Sequence, residues 1–239
     1  MTHQLITLAL APALLLQGNS VRRNTPKLPE PPGAREGEKG QGPQLRLLII
    51  GDSAAAGVGA KHQDHALLGQ LVNQLSTNYR VYWQLEAVTG ATTAYTLQRL
   101  KHQSQQDFDI VITSLGVNDV TSTISPKNWQ RQQSILRKTL VDKYQPSLMI
   151  ISGLPPMGAF PALPNPLRWY LGRRAKLFNH ILKQELSRSD NIKLLIKEDI
   201  PDTSGMASDG FHPGPPFYRE WAESMAQVIK QRFIPIRIN

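Results

Sequence analysis

The feature that most constrains this chain is a run of five short aliphatic segments, each followed by a stretch with helical spacing. Residues 45–50 are aliphatic but for Arg46 and end at Gly51, as a strand buried on both faces would, and 81–88, 110–115, 148–151 and 192–196 read as further strands. Leu67, Leu68, Leu71, Val72 and Leu75 follow the spacing of one helix face. Residues 93–100, 129–144, 167–186 and 217–233 read as further helices, and the proline-rich 155–166 as a loop. Strands alternating with helices predict a three-layer α/β/α domain around a parallel sheet. In such sheets ligands bind beyond the carboxyl ends of the strands. Functional residues are therefore expected just after Ile50, Val88, Leu115, Ile151 and Ile196.

The chain has 239 residues, which suits one domain with extensions. Residues 44–239 are read as that domain. Residues 17–43 hold five prolines and five glycines, with Val21 and Leu28 as their branched aliphatics, and are read as a linker. Residues 1–16 form an apolar leader, too short to span a bilayer and without a basic residue ahead of it. A weak membrane anchor or atypical signal is the reading adopted, which implies membrane association on an undetermined side. Cytoplasmic or periplasmic residence are the alternatives. The absence of cysteine excludes disulfide frameworks, thiolate nucleophiles and Cys-ligated zinc. A net charge of +9 points to anionic partners but not to a fold.

Three strand ends carry groups capable of chemistry. Gly51-Asp52-Ser53 follows the first strand. As structure alone, Ser53 would cap a helix N-terminus; as chemistry, it places a hydroxyl and an N–H at the open edge of the sheet. The Gly-x-Ser-x-Gly elbow of α/β-hydrolases is absent, because Ala55 holds its last position. Gly90 follows the second strand and offers a backbone N–H from a turn that glycine makes easily. Gly116-Val117-Asn118-Asp119 follows the third, and the Asn118 amide can face a developing oxyanion. Near the C-terminus, Asp209 precedes His212 by three residues on a turn-forming loop. That spacing lets the carboxylate fix the imidazole tautomer, leaving the other nitrogen to take a hydroxyl proton. Each feature alone has a purely structural explanation. Together, on one sheet edge, they supply a nucleophile, a base, its orienter and three oxyanion donors.

In order and spacing, Gly51-Asp52-Ser53, Gly90, Gly116-x-Asn118-Asp119 and Asp209-x-x-His212 resemble the SGNH (GDSL-type) hydrolases. The likeness spans the whole expected domain. It implies Ser53 as nucleophile, His212 as general base and Asp209 as its partner. It implies an oxyanion hole from the N–H groups of Ser53 and Gly90 and the Asn118 side chain. It further implies a flavodoxin-like five-stranded parallel sheet of order 2-1-3-4-5, and no metal or organic cofactor. The family's leucine after Gly-Asp-Ser is Ala54 here, a departure that touches none of these roles.

The expected activity is ester hydrolysis through an acyl-enzyme, on lipid or small acyl esters, of the arylesterase, thioesterase or lysophospholipase type. Carbohydrate O-acetyl groups or thioesters are alternative substrates of the same chemistry. An alternative of another class is a basic membrane- or nucleic-acid-binding protein with a degenerate site, although such a module needs no Ser/His/Asp set; no nucleic-acid partner is expected. Met157, Phe160 and Leu163, in the loop after the fourth strand, are candidate acyl-pocket residues. Arg168, Trp169, Tyr170, Arg173, Arg174 and Lys176 form either a solvated helix face or, with the leader, a surface for anionic headgroups. His62-Gln63-Asp64-His65 is read as a polar helix start in preference to a metal site.

Overall fold

The computed structural model describes residues 2–200 and 202–234, with residues 2–8 described by backbone alone. Met1 of the leader and the last five residues of the expected domain lie outside the described residues. Strands β2 (Gln44–Gly51), β3 (Arg80–Ala87), β4 (Ile110–Ser114), β5 (Leu148–Ser152) and β6 (Ile192–Leu195) coincide with the five aliphatic runs to within two residues. They pair in parallel in the order β3-β2-β4-β5-β6, which is the expected 2-1-3-4-5.

Alternation along each strand builds two cores. Leu45, Leu47 and Ile49 of β2 face one layer, while Leu48 and Ile50 face the other. On the first side lie α3 (Leu67–Leu75) and α8 (Pro215–Arg232); on the second lie α4 (Thr93–Leu100), α6 (Pro126–Tyr144) and α7 (Leu167–Leu186). Two short helices, α2 (Ser53–Ala56) and α5 (Val117–Val120), begin at the ends of β2 and β4. The buried Tyr218 hydroxyl donates to the Val58 carbonyl oxygen at 2.7 Å, tying α8 to the segment that follows α2.

Two expectations are corrected. The sheet has six strands, because β1 (Glu36–Lys39) pairs antiparallel with β3 at its edge. Every β1 residue is exposed and three of its four are charged, so no apolar signal marks it; charge is also what keeps an edge strand from recruiting further strands. The stretch 17–43 is consequently not a free linker. Helix α1 (Thr2–Asn24) runs through its first part, and the rest is held to the sheet by β1. Leu14 is buried in the second core, and the Gln17 side chain accepts from the Leu167 N–H at 3.0 Å while donating to the Asn165 carbonyl at 2.7 Å. The leader is thus docked on the start of α7. Among the described residues, no helix is long and apolar enough to cross a membrane.

Candidate active site

The β2 strand ends at Gly51, where an added Cβ would fall 2.3 Å from the Ala55 Cβ and 2.6 Å from the Ser114 carbonyl oxygen. Only glycine lets α2 turn back this closely over β4. Asp52, and not Ser53, caps α2 by accepting from the Ala54 N–H at 3.1 Å, which corrects the capping alternative for Ser53. Ser53 is then the first helical residue, with its N–H lacking an intrahelical partner and its hydroxyl free to face the sheet edge.

The hydroxyl is met from the other end of the chain. Ser53 Oγ lies 2.8 Å from His212 Nε2, and His212 Nδ1 lies 2.5 Å from Asp209 Oδ2. The loop is built to hold this geometry. Asp209 Oδ1 accepts from the N–H groups of both Phe211 and His212 at 2.9 Å, and Gly210 takes φ +62° between them. Burial alone would raise the Asp209 carboxyl. The hydrogen bonds from the His212 ring and the two N–H groups outweigh it and hold the group below the usual carboxylate range. An ionised carboxylate can only accept, so Nδ1 carries the proton and Nε2 is left to accept from Ser53.

Asn118 sits in α5, whose start requires Gly116 at φ +131°. Its Nδ2 donates to the Ala91 carbonyl at 3.0 Å, and Asp52 Oδ2 lies 3.5 Å away. Gly90 adopts φ +83° in the turn before Ala91, with open space where a side chain would stand. The Ala91–Asn118 bond thus joins the two segments that carry the expected oxyanion donors. Behind them, Asp119 accepts from the Thr93 N–H and hydroxyl at 3.1 Å and 2.8 Å, and Gln133 donates to the Thr93 oxygen at 2.8 Å. Burial raises the Asp119 carboxyl, and it pushes Asp52 up to about 7. A buried acid beside the serine was not visible from sequence, because its proton depends on tertiary burial.

A cavity of about 330 Å³ opens beside Ser53 and His212. Phe160 lines it, and Phe211 packs edge-on against Phe160 with ring centres 5.2 Å apart. Met157 and Leu163 do not line it. Both are buried in the second core, because the 3₁₀ turn Met157–Ala159 folds back against Gly172 of α7. Sequence reasoning missed Leu154, Ile196, Phe217 and Trp221 in the cavity wall, the first two of which stand directly beyond strand ends. The Arg168–Lys176 stretch separates by face. Arg174 donates to the carbonyl oxygens of Val120 and Ile124 at 3.0 Å and 2.9 Å, while Trp169, Arg173 and Lys176 face solvent. His62 caps the 3₁₀ turn Gln63–His65 by accepting from the Asp64 N–H.

Residues 49–220 match the model of the GDSL-like Lipase/Acylhydrolase family. Comparison with curated protein sequences gives no match. Among solved structures, TesA is 19% identical, with 79% of this chain and 100% of that chain covered at a TM-score of 0.60. The inhibitor-bound aryl esterase of M. smegmatis is 16% identical, with coverages of 79% and 100% and a TM-score of 0.60. A family two carbohydrate esterase from Clostridium thermocellum is 13% identical, with 80% and 65% covered and a TM-score of 0.58. At these identities the likeness establishes the fold.

Proposed function

The chain belongs to the GDSL-like lipase/acylhydrolase family and is a hydrolase of ester bonds, and from that premise we propose that it is a serine carboxylesterase acting through an acyl-enzyme. The Asp209–His212–Ser53 relay, with separations of 2.5 Å and 2.8 Å, is the observation that carries this reading. Ser53 Oγ attacks the ester carbonyl carbon as its proton passes to His212 Nε2. The charge that develops on the carbonyl oxygen is met by the N–H groups of Ser53 and Gly90 and by the Asn118 amide. One Asn118 N–H is held by Ala91, and the other is held only weakly across 3.5 Å by Asp52. A contact that long is weak, so the Asn118 amide can turn from Asp52 to the oxyanion. Collapse breaks the ester C–O bond, and His212 returns the proton to the departing alcohol. Water then attacks the acyl-enzyme, gives a proton to His212, and releases the acid as Ser53 regains its hydrogen.

The cavity supports an acyl group larger than acetyl, which favours lipid-type esters over carbohydrate O-acetyl groups. Ser53→Ala tests the reading. Ester hydrolysis should fall by about 10⁴-fold or more while the thermal midpoint is kept and fluorophosphonate labelling disappears. Undiminished turnover in that variant would sink the mechanism.

We propose also that the substrate is met at an anionic membrane surface. Leu15 and Leu16 are 69% and 72% exposed on α1, which Gln17 pins to the same end of α7 as Trp169 and Arg173. Exposed aliphatic, aromatic and cationic groups near one end of α7 suit the headgroup boundary. The full chain should co-sediment with vesicles in proportion to their anionic lipid and release with salt. Binding indifferent to both would discard the idea.

A further inference from the structure

The carboxyl ends of four neighbouring strands line one cavity. Ser53 follows β2, Leu115 follows β4, Leu154 follows β5 and Ile196 follows β6, and these strands lie side by side in that order. The cavity therefore runs from the serine along the sheet edge, across three inter-strand steps of about 4.8 Å, a reach of about 14 Å. Phe217 and Trp221 of α8 close its other side. At the β6 end stand Lys197 and Glu220, both part of the lining. Lys197 Nζ bonds Glu220 Oε2 at 2.5 Å and lies 4.8 Å from the centre of the Phe217 ring. The pair crosses the gap between the segment after β6 and the side of α8.

We propose that this cavity takes a linear, apolar acyl chain and that the Lys197–Glu220 bridge closes its far end, setting the preferred chain length. The inference rests on the esterase reading above and adds to it the direction of the acyl chain and the residues that limit it. With C–C bonds near 1.5 Å set in a zigzag, the reach accommodates on the order of ten carbons. The two partners are 40% and 57% exposed, so the bridge is a soft stop that a longer chain displaces at a cost, and not a wall. Lys197 acts on specificity alone, since it touches none of the reacting atoms.

The test is a series of p-nitrophenyl esters from two to sixteen carbons, measured on the full chain and on Lys197→Ala and Glu220→Ala. Lys183→Ala, which removes an exposed bridge to Glu198 outside the cavity lining, serves as the control. The parent enzyme should prefer medium chains. Both bridge variants should raise the ratio of kcat/KM for the longest ester to that for the medium one by about tenfold, and the control should leave it unchanged. A parent enzyme that turns over only acetyl esters, or a profile indifferent to both bridge substitutions, overturns this inference while leaving the serine mechanism intact. A chain that hydrolyses no ester overturns the parent reading, and this one with it.

Discussion

At the scale of single residues, Asp52 is the least expected member of the site. It neighbours the serine in sequence, caps α2, and faces Asn118, yet it is 2% exposed and its carboxyl is pushed up to about 7 by burial, with Asp119 adding to the rise. The native carboxyl therefore keeps its proton to about pH 7, while the unfolded one loses it near pH 4. Stability from this group is fully present below the unfolded value and is lost as pH rises through the native one, so the folded state weakens between about pH 4 and 7. Asp52→Asn removes the titration and keeps an oxygen for the Ala54 N–H. Denaturant unfolding should show the variant gaining on the parent by up to a few kcal/mol between pH 4 and 7.5, with a constant difference above that. Parallel curves across the range would mean that Asp52 is already ionised in the folded protein. That Ser53, Asp209 and His212 come together was legible in the sequence, because their meeting depends on strand-end placement and a three-residue spacing. The state of Asp52 was not, since it is set by what the fold places around it.

At the scale of elements, strands are legible where they are apolar, most sharply where glycine closes them as in β2, and contacts between elements are not. The loop after β5 illustrates the limit. Its Met157, Phe160 and Leu163 are equally apolar in sequence, but only Phe160 reaches the cavity, because the turn Met157–Ala159 is seated on α7. The seat is Gly172, where an added Cβ would stand 2.8 Å from both the Cα and the nitrogen of Gly158. The one mark of that approach in the α7 sequence is the isolated Gly172 itself, which does not say what it approaches. Gly172→Ala must push the turn off the helix and carry Pro155, Pro156 and Phe160 of the cavity wall with it. The expected cost is about 1–3 kcal/mol of stability, together with a lower kcat/KM on medium-chain esters. The reciprocal change discriminates. A Cβ at Gly158 would meet only the Gly172 Cα, at 3.7 Å, an ordinary contact. Gly158→Ala should therefore be nearly silent in both chemical denaturation and kinetics, and equal damage from the two substitutions would contradict this packing.

At the scale of the whole molecule, the segment before the parallel sheet changes meaning. Its prolines, glycines and charges predict a chain with too little apolar surface to order itself, and apolar anchoring is confined to a few side chains such as Leu14 and Val21 on the second core. Hydrogen bonding to β3 holds the stretch that follows. The Leu85 N–H donates to the Arg35 carbonyl at 2.7 Å, Arg35 reaches the Ala87 carbonyl, and β1 continues the pairing outward. One side chain of this segment extends the hold to the site. Glu30 Oε1 accepts from the Thr89 N–H at 3.0 Å and from its hydroxyl at 2.6 Å, while Oε2 pairs with Arg35 at 2.8 Å. Burial would raise the Glu30 carboxyl, but the bonds from Thr89 and Arg35 hold it below its usual value, so it is ionised at neutral pH. Thr89 immediately precedes Gly90, the glycine whose N–H is assigned to the oxyanion. We propose that Glu30 is a positioning residue, holding from outside the sheet a turn that has open space on the side where a Gly90 side chain would stand. In the full chain, Glu30→Ala should lower kcat by about tenfold with little change in KM, because the turn matters when charge develops and not when substrate binds. Glu30→Gln keeps an accepting oxygen and should recover part of the loss. Amide exchange at Thr89 should quicken in the alanine variant. Unchanged kcat with unchanged exchange would show that the Thr89-Gly90 turn holds its shape without Glu30, leaving the N-terminal segment to cover the sheet edge alone.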